Sequence, residues 1–92
     1  MMTKFEIKLE EKFSNKLGVG PTAKKLFQEL NGKDSVILNF VNIEFMSRSF
    51  AQEYVFQKHN SKIKVEEINL NESIEKLLDL VEEDFEKSCL NS

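Results

Sequence analysis

A chain of 92 residues is one domain, large enough for a single core and too small for a broad catalytic cleft. Its 40% hydrophobic and 32% charged residues are the balance of a soluble globule, without the signature of a disordered segment. The net charge of −3 is uneven: seven acids and eleven bases precede Glu66 (+4), while nine acids and two lysines follow from it (−7), which argues against a nucleic-acid module.

Lys4-Phe5-Glu6-Ile7-Lys8-Leu9-Glu10 alternates polar and apolar residues. The alternation predicts a half-buried strand at or near a sheet edge, with Phe5, Ile7 and Leu9 inward and Phe13 prolonging that face. Ser14-Asn15 and Gly18-Val19-Gly20 are loop punctuation around a short return strand carrying Leu17 and Val19. Pro21 suits the first turn of a helix, where its missing amide hydrogen would have been unpaired anyway. Ala23, Leu26, Phe27 and Leu30 then form one apolar stripe, and Asn31-Gly32 is a left-handed stop.

Ser35-Val36-Ile37-Leu38-Asn39-Phe40 is a short apolar run rich in β-branched residues, the pattern of a central strand covered on both faces. It passes through residues 41–46 into Ser47-Arg48-Ser49-Phe50-Ala51, which predicts a helix N-terminus near Ser47. Phe50, Ala51, Tyr54 and Val55 fall on one face of that helix. Phe56 points away from them, either covered by another element or offered to a partner.

Asn60-Ser61 ends the helix, and Lys62 to Glu66 alternates as a third strand, whose pattern reaches Ile68 and Leu70 only through a bulge at Glu66-Glu67. Asn69 or Asn71 can cap a last helix with the stripe Ile74, Leu77, Leu78, Val81 and Phe85, from which Leu80 departs. Residues 88–92 are expected to fray. Strands and helices alternating in this way imply parallel neighbours and right-handed crossovers. The expected fold is a small layered α/β domain spanning residues 1–92, with a mostly parallel or mixed sheet of three to four strands and about three helices.

The inventory for catalysis is thin. His59 is the single histidine and sits near a predicted helix C-terminus, where an imidazolium is favoured as a surface or capping group. Cys89 is the single cysteine, so neither a disulfide frame nor a metal ligand set is formed, and a free thiol fits a reducing cytosol. Gly18-Val19-Gly20 lacks the lysine and hydroxyl of a phosphate cradle and reads as a tight turn. No apolar run approaches the roughly 18 residues of a membrane span, and Met-Met-Thr-Lys-Phe-Glu lacks the apolar core of a signal peptide. The expectation is a cytoplasmic protein with no cofactor, no metal and no enzymatic activity.

Ser47-Arg48-Ser49 is the local oddity. Arg48 is the single arginine, placed beside a helix N-terminus whose dipole disfavours a cation unless an anion is also there. Unpaired amide hydrogens, two hydroxyls and a guanidinium could hold a phosphate or a partner's carboxylate. Alternatively, Ser47 or Ser49 caps the helix and Arg48 pairs with Glu44 or Glu53 at the surface.

The run from Val36 to Phe40 followed by Val41-Asn42-Ile43-Glu44-Phe45-Met46-Ser47-Arg48-Ser49-Phe50-Ala51 resembles the STAS-like domain family of unknown function. That family shows an apolar strand ending in Asp-Phe, a short connection, and Ser-x-Ser-Phe-Ala opening a helix. The resemblance extends from about Pro21 to Leu70 and is most specific from Ser47 to Ala51. The family is in turn similar to the STAS domains of anti-sigma factor antagonists, where a serine at a helix start is phosphorylated by a partner kinase. On that alignment Ser49 falls on the phospho-acceptor and Ser47 on an aspartate. Arg48 stands for a small residue, Phe50 and Gln52 stand for glycines, and Asn39 stands where many relatives carry aspartate. The resemblance implies a regulatory domain that binds another protein, such as an ATP-binding kinase-like regulator, with Ser49 as contact or phospho-acceptor. Taken with the residues' own pattern, the expectation is a non-enzymatic domain that docks through Ser47, Arg48, Ser49 and Phe56 on the face of the second helix. A small anion- or nucleotide-binding protein, or a minor enzyme, built on the same turn is the alternative.

Overall fold

A computed structural model describes residues 5–90, with side chains described to residue 88. Lys4, the N-terminal residues without a signal-like core, and residues 91–92 of the expected fray lie outside the described residues. The elements run β1 (Phe5–Lys8), α1 (Leu9–Lys12), β2 (Lys16–Leu17), α2 (Gly20–Glu29), β3 (Ser35–Asn39), β4 (Phe45–Met46), α3 (Arg48–Asn60), β5 (Lys64–Ile68) and α4 (Glu72–Leu90). β1, β3 and β5 form a parallel sheet in the order β1-β3-β5, and β2 pairs with β4 in a second, two-stranded parallel sheet.

The chain therefore folds as an α/β domain with four helices among the described residues. α1 is additional to the expected pattern. The alternation of β1 breaks at Leu9, which is fully buried, and Glu10 and Glu11 occupy the first turn of a short helix, where the backbone dipole favours acids. The return strand is corrected as well. Lys16-Leu17 runs parallel to Phe45-Met46 rather than back along β1, and Val19 is exposed beside the start of α2.

Both crossovers, β1-α2-β3 and β3-α3-β5, step in the same direction across the sheet, and right-handed connections place α2 and α3 on one face. The register puts Phe5, Ile7, Val36, Leu38, Val65 and Glu67 on that face. The opposite face carries Glu6, Lys8, Lys64 and Glu66, all exposed, around a half-buried Ile37. The reading of β3 as covered on both faces by apolar layers is thus corrected: its second face is flanked by charged side chains.

No bulge interrupts β5. Its register with β3 is continuous from Lys64 to Ile68, and the alternation fails because Glu67, a carboxylate, occupies an inward position. Its Oε2 accepts there from both the Tyr54 hydroxyl and the Lys58 ammonium. Tyr54 is fully buried with Phe27, Phe40 and Phe50 around it, at ring separations of 5.7, 6.3 and 6.2 Å. These phenylalanines, with Leu26, Leu38 and Val55, fill the centre of the core.

Asn39 is the one buried polar residue of the described core. Its amide donates to Glu6 at 2.9 Å and its carbonyl accepts from the Val41 amide at 3.0 Å and Asn69 at 2.9 Å, tying the end of β3 to the residues beside it. An aspartate could not donate to Glu6, which accounts physically for asparagine here.

Candidate functional site

Ser47 is the N-cap of α3, with extended backbone at φ −77° and ψ 159°. Its hydroxyl accepts from the Phe50 amide and donates to the Gly18 carbonyl, both at 3.0 Å, and its own amide donates to Leu17 at 2.8 Å. The Ser47 hydroxyl is therefore committed within the fold: it satisfies a helix amide and holds the loop before α2.

Arg48 is exposed and pairs with Asp84 of α4 at 3.1 Å, rather than with Glu44 or Glu53. Those two carboxylates are engaged elsewhere. Glu44 accepts from the Asn15 amide, and Glu53 accepts from Gln57 one turn along α3. Arg48 and Asp84 are each about half exposed, with side-chain exposures of 55% and 52%, so solvent screens the pair and leaves the guanidinium exchangeable.

Ser49 is exposed, and its hydroxyl has no hydrogen-bond partner among the described residues. It stands against Gly20 at the start of α2. A Cβ placed on Gly20 would lie 2.9 Å from Ser49 Oγ and 3.3 Å from its carbonyl oxygen, so the absence of a side chain at Gly20 allows the approach. The N-terminal turns of two helices thus meet at the Ser49 hydroxyl, and both dipoles are positive there.

Phe56 is 51% exposed, which resolves the two sequence alternatives in favour of an uncovered ring. Seven residues is close to two turns of α-helix, so Ser49 and Phe56 share a face roughly 10 Å apart, with Gln52, also exposed, between them. Two further exposed apolar residues adjoin the turn in the chain and were not singled out from sequence: Val19, just before Gly20, and Phe45, two residues before Ser47. The available signal was the alternation Phe45-Met46, in which buried Met46 leaves Phe45 outward.

The opposite end of α3 carries a denser polar cluster. Lys58 bridges Glu67 of β5 at 3.3 Å and Glu82 of α4 at 2.6 Å, while His59 meets Glu82 at 2.5 Å and stacks on Phe85 at 4.5 Å. Burial pushes the Tyr54 hydroxyl well above its ordinary pKa, and adjacent Glu67 pushes it further. Burial opposes charge on Lys58, but hydrogen bonding to Glu82 and the field of both carboxylates outweigh it and raise the ammonium. Burial likewise works to raise Glu82, but Lys58 and His59 together hold its carboxyl below the usual range.

His59 lies ten positions along the helix from Ser49, roughly 15 Å away, so no histidine stands beside either serine. An open cleft of about 620 Å³ is lined by Phe27, Asn31, Lys33, Asn60 and Lys62 near the C-terminal ends of α2 and α3, away from the turn. Among the described residues no cluster of three or more His, Cys, Asp or Glu side chains could hold a metal ion, and no helix is long and apolar enough to cross a membrane. Compared with protein-family models, curated proteins and solved structures, the chain matches none of them.

Proposed function

We propose that this protein is a cytoplasmic, STAS-like, non-enzymatic regulatory domain that docks another protein through the outward face of α3. The observation that carries this reading is the stripe of Arg48, Ser49, Gln52 and Phe56, an exposed aromatic ring in line with an unpartnered hydroxyl and an exchangeable guanidinium at a helix start. In this reading the labour is divided. Ser47 holds the turn, Arg48 and the free amides of the first turn attract a carboxylate or phosphate, and Phe56 supplies the apolar anchor. A phosphate on Ser49 would gain from both helix dipoles and from Arg48 while adding negative charge to the docking face, so modification would switch the choice of partner.

The test is capture of the partner from the native cell, followed by titration of the purified complex. Arg48→Glu and Phe56→Ala are each expected to weaken binding roughly tenfold or more, and mass spectrometry of the captured chain reports phosphate on Ser49. Both variants should stay folded, since surface changes usually cost within about 0.5 kcal/mol. If neither changes affinity, the docking face is elsewhere. The anion-site reading rests on the meeting of two helix N-terminal turns at Ser49 and predicts a concentration-dependent rise in Tm with phosphate or nucleotide; a flat response removes it.

A further inference from the structure

Among the described residues β5 is an edge strand: in the order β1-β3-β5 it is paired on one side only. The Lys64 amide donates to Asp34 and the Ile68 carbonyl accepts from Phe40, so residues 64, 66 and 68 turn their backbone groups toward β3. By alternation, Ile63, Val65 and Glu67 turn theirs outward at the open edge. Such a row of donors and acceptors is a template for a further strand. We propose that its occupant is β5 of a second copy of this chain, joined antiparallel about a two-fold axis at Val65.

The charges on the strand select this partner and this register. With Val65 opposite Val65 of the second copy, the outward-turned Ile63 and Glu67 also oppose one another, so each such pair exchanges both ladder hydrogen bonds. On the exposed face of the sheet Lys64 then lies opposite Glu66, twice, by symmetry. Slipping by two residues toward the start of the strand sets Lys64 against Lys64. Slipping the other way sets Glu66 against Glu66. A slip of one residue opposes inward-facing with outward-facing groups and breaks the hydrogen-bond phase. Within this set one antiparallel register has matched hydrogen bonding and no like-charge pair on the exposed face. β1, the other edge among the described residues, runs directly into α1 at Leu9, which closes its C-terminal end to further pairing.

This inference is independent of the docking face on α3. It is tested by sedimentation equilibrium of the full chain from about 10 µM to about 1 mM, the range of weak complexes. Wild type is expected to dimerise. Lys64→Glu and Glu66→Lys each place like charges opposite at both symmetric positions and should raise the dimer Kd roughly tenfold, while the double swap should restore it to within about threefold. Val65→Pro deletes an outward amide that no strand among the described residues uses, a position where an edge tolerates proline, and should abolish the dimer with the circular dichroism retained. If Val65→Pro fails to fold, the charge series decides alone. A monomer throughout, a dimer insensitive to both single reversals, or a double swap as weak as the singles would each overturn the proposal.

Discussion

The two ends of α3 put similar residues to opposite uses. At its start, a guanidinium meets one exposed carboxylate across to α4, and a hydroxyl beside it stays unpaired. At its end, an ammonium and an imidazole converge on carboxylates from β5 and α4, with a buried tyrosine completing the set. The second region has the more perturbed titrations and the shorter contacts, yet its groups satisfy one another, with no polar side-chain atom left buried and unpaired among the described residues. The cluster ties α4 to α3 and β5 through Glu82, Lys58 and Glu67. At the sparse end the Ser49 hydroxyl is unpaired among the described residues and Arg48 is half exposed.

That contrast can be broken by substitution, beginning where the largest loss is expected. Tyr54→Ala removes the ring at the centre of the phenylalanine cluster and should cost about 3–5 kcal/mol in urea unfolding. Tyr54→Phe keeps the packing but leaves the Glu67 carboxylate without its buried donor, for about 1–3 kcal/mol. A Tyr54→Phe protein as stable as wild type would show that the cluster does not anchor β5.

Gly20→Ala probes the sparse end. The new methyl would sit 2.9 Å from the Ser49 hydroxyl, which can rotate away, and 3.3 Å from its carbonyl oxygen, so α2 and α3 must give by a few tenths of an ångström, at about 1 kcal/mol. Ser49→Ala in the same chain removes the nearer clash and should recover part of that loss. A Gly20→Ala protein that gains stability, as alanine ordinarily does in a helix, would mean the two helices are not held close.

The smallest effect is a pH dependence. Glu82 is held below the usual carboxylate range, so its contribution is present above its ordinary value and is lost as pH falls through the depressed one. Lys58 and Tyr54 are raised, so their contributions are present below their ordinary values and are lost as pH rises through the raised ones. Denaturation midpoints should be flat near neutrality and fall on both sides, with the acid fall reduced in Glu82→Gln. An acid limb unchanged by that substitution would place the acid sensitivity elsewhere.

Legibility in the sequence followed the range of the interaction. The cap at Ser47, the left-handed stop at Gly32 with φ +91°, and the stripes of α2 and α4 depend on neighbours within a few residues, and all are found near where the pattern put them. Asn71 caps α4, its carbonyl oxygen accepting from the Ile74 amide at 2.8 Å. The pairing of Arg48 with Asp84 spans 36 positions and could not be read from spacing, so nearer Glu44 and Glu53 looked equally suitable. Glu67 was misplaced for the same reason. A carboxylate facing the core contradicts a hydrophobic pattern unless its donors, brought in from another element, are known.

Taken alone, the amino-acid order determined that this is one small α/β domain, where its main helices begin and end, and that Ser47, Arg48, Ser49 and Phe56 belong to a single helix. Caps and amphipathic stripes are settled by neighbours along the chain, so they survive without knowledge of the rest. Which hydroxyl is spent and which is spare, which acid meets Arg48, and whether Phe56 is covered were decided only when α2, α4 and β5 came to lie around α3. Those outcomes depend on distances between segments far apart in the chain, which side-chain identities do not encode one residue at a time.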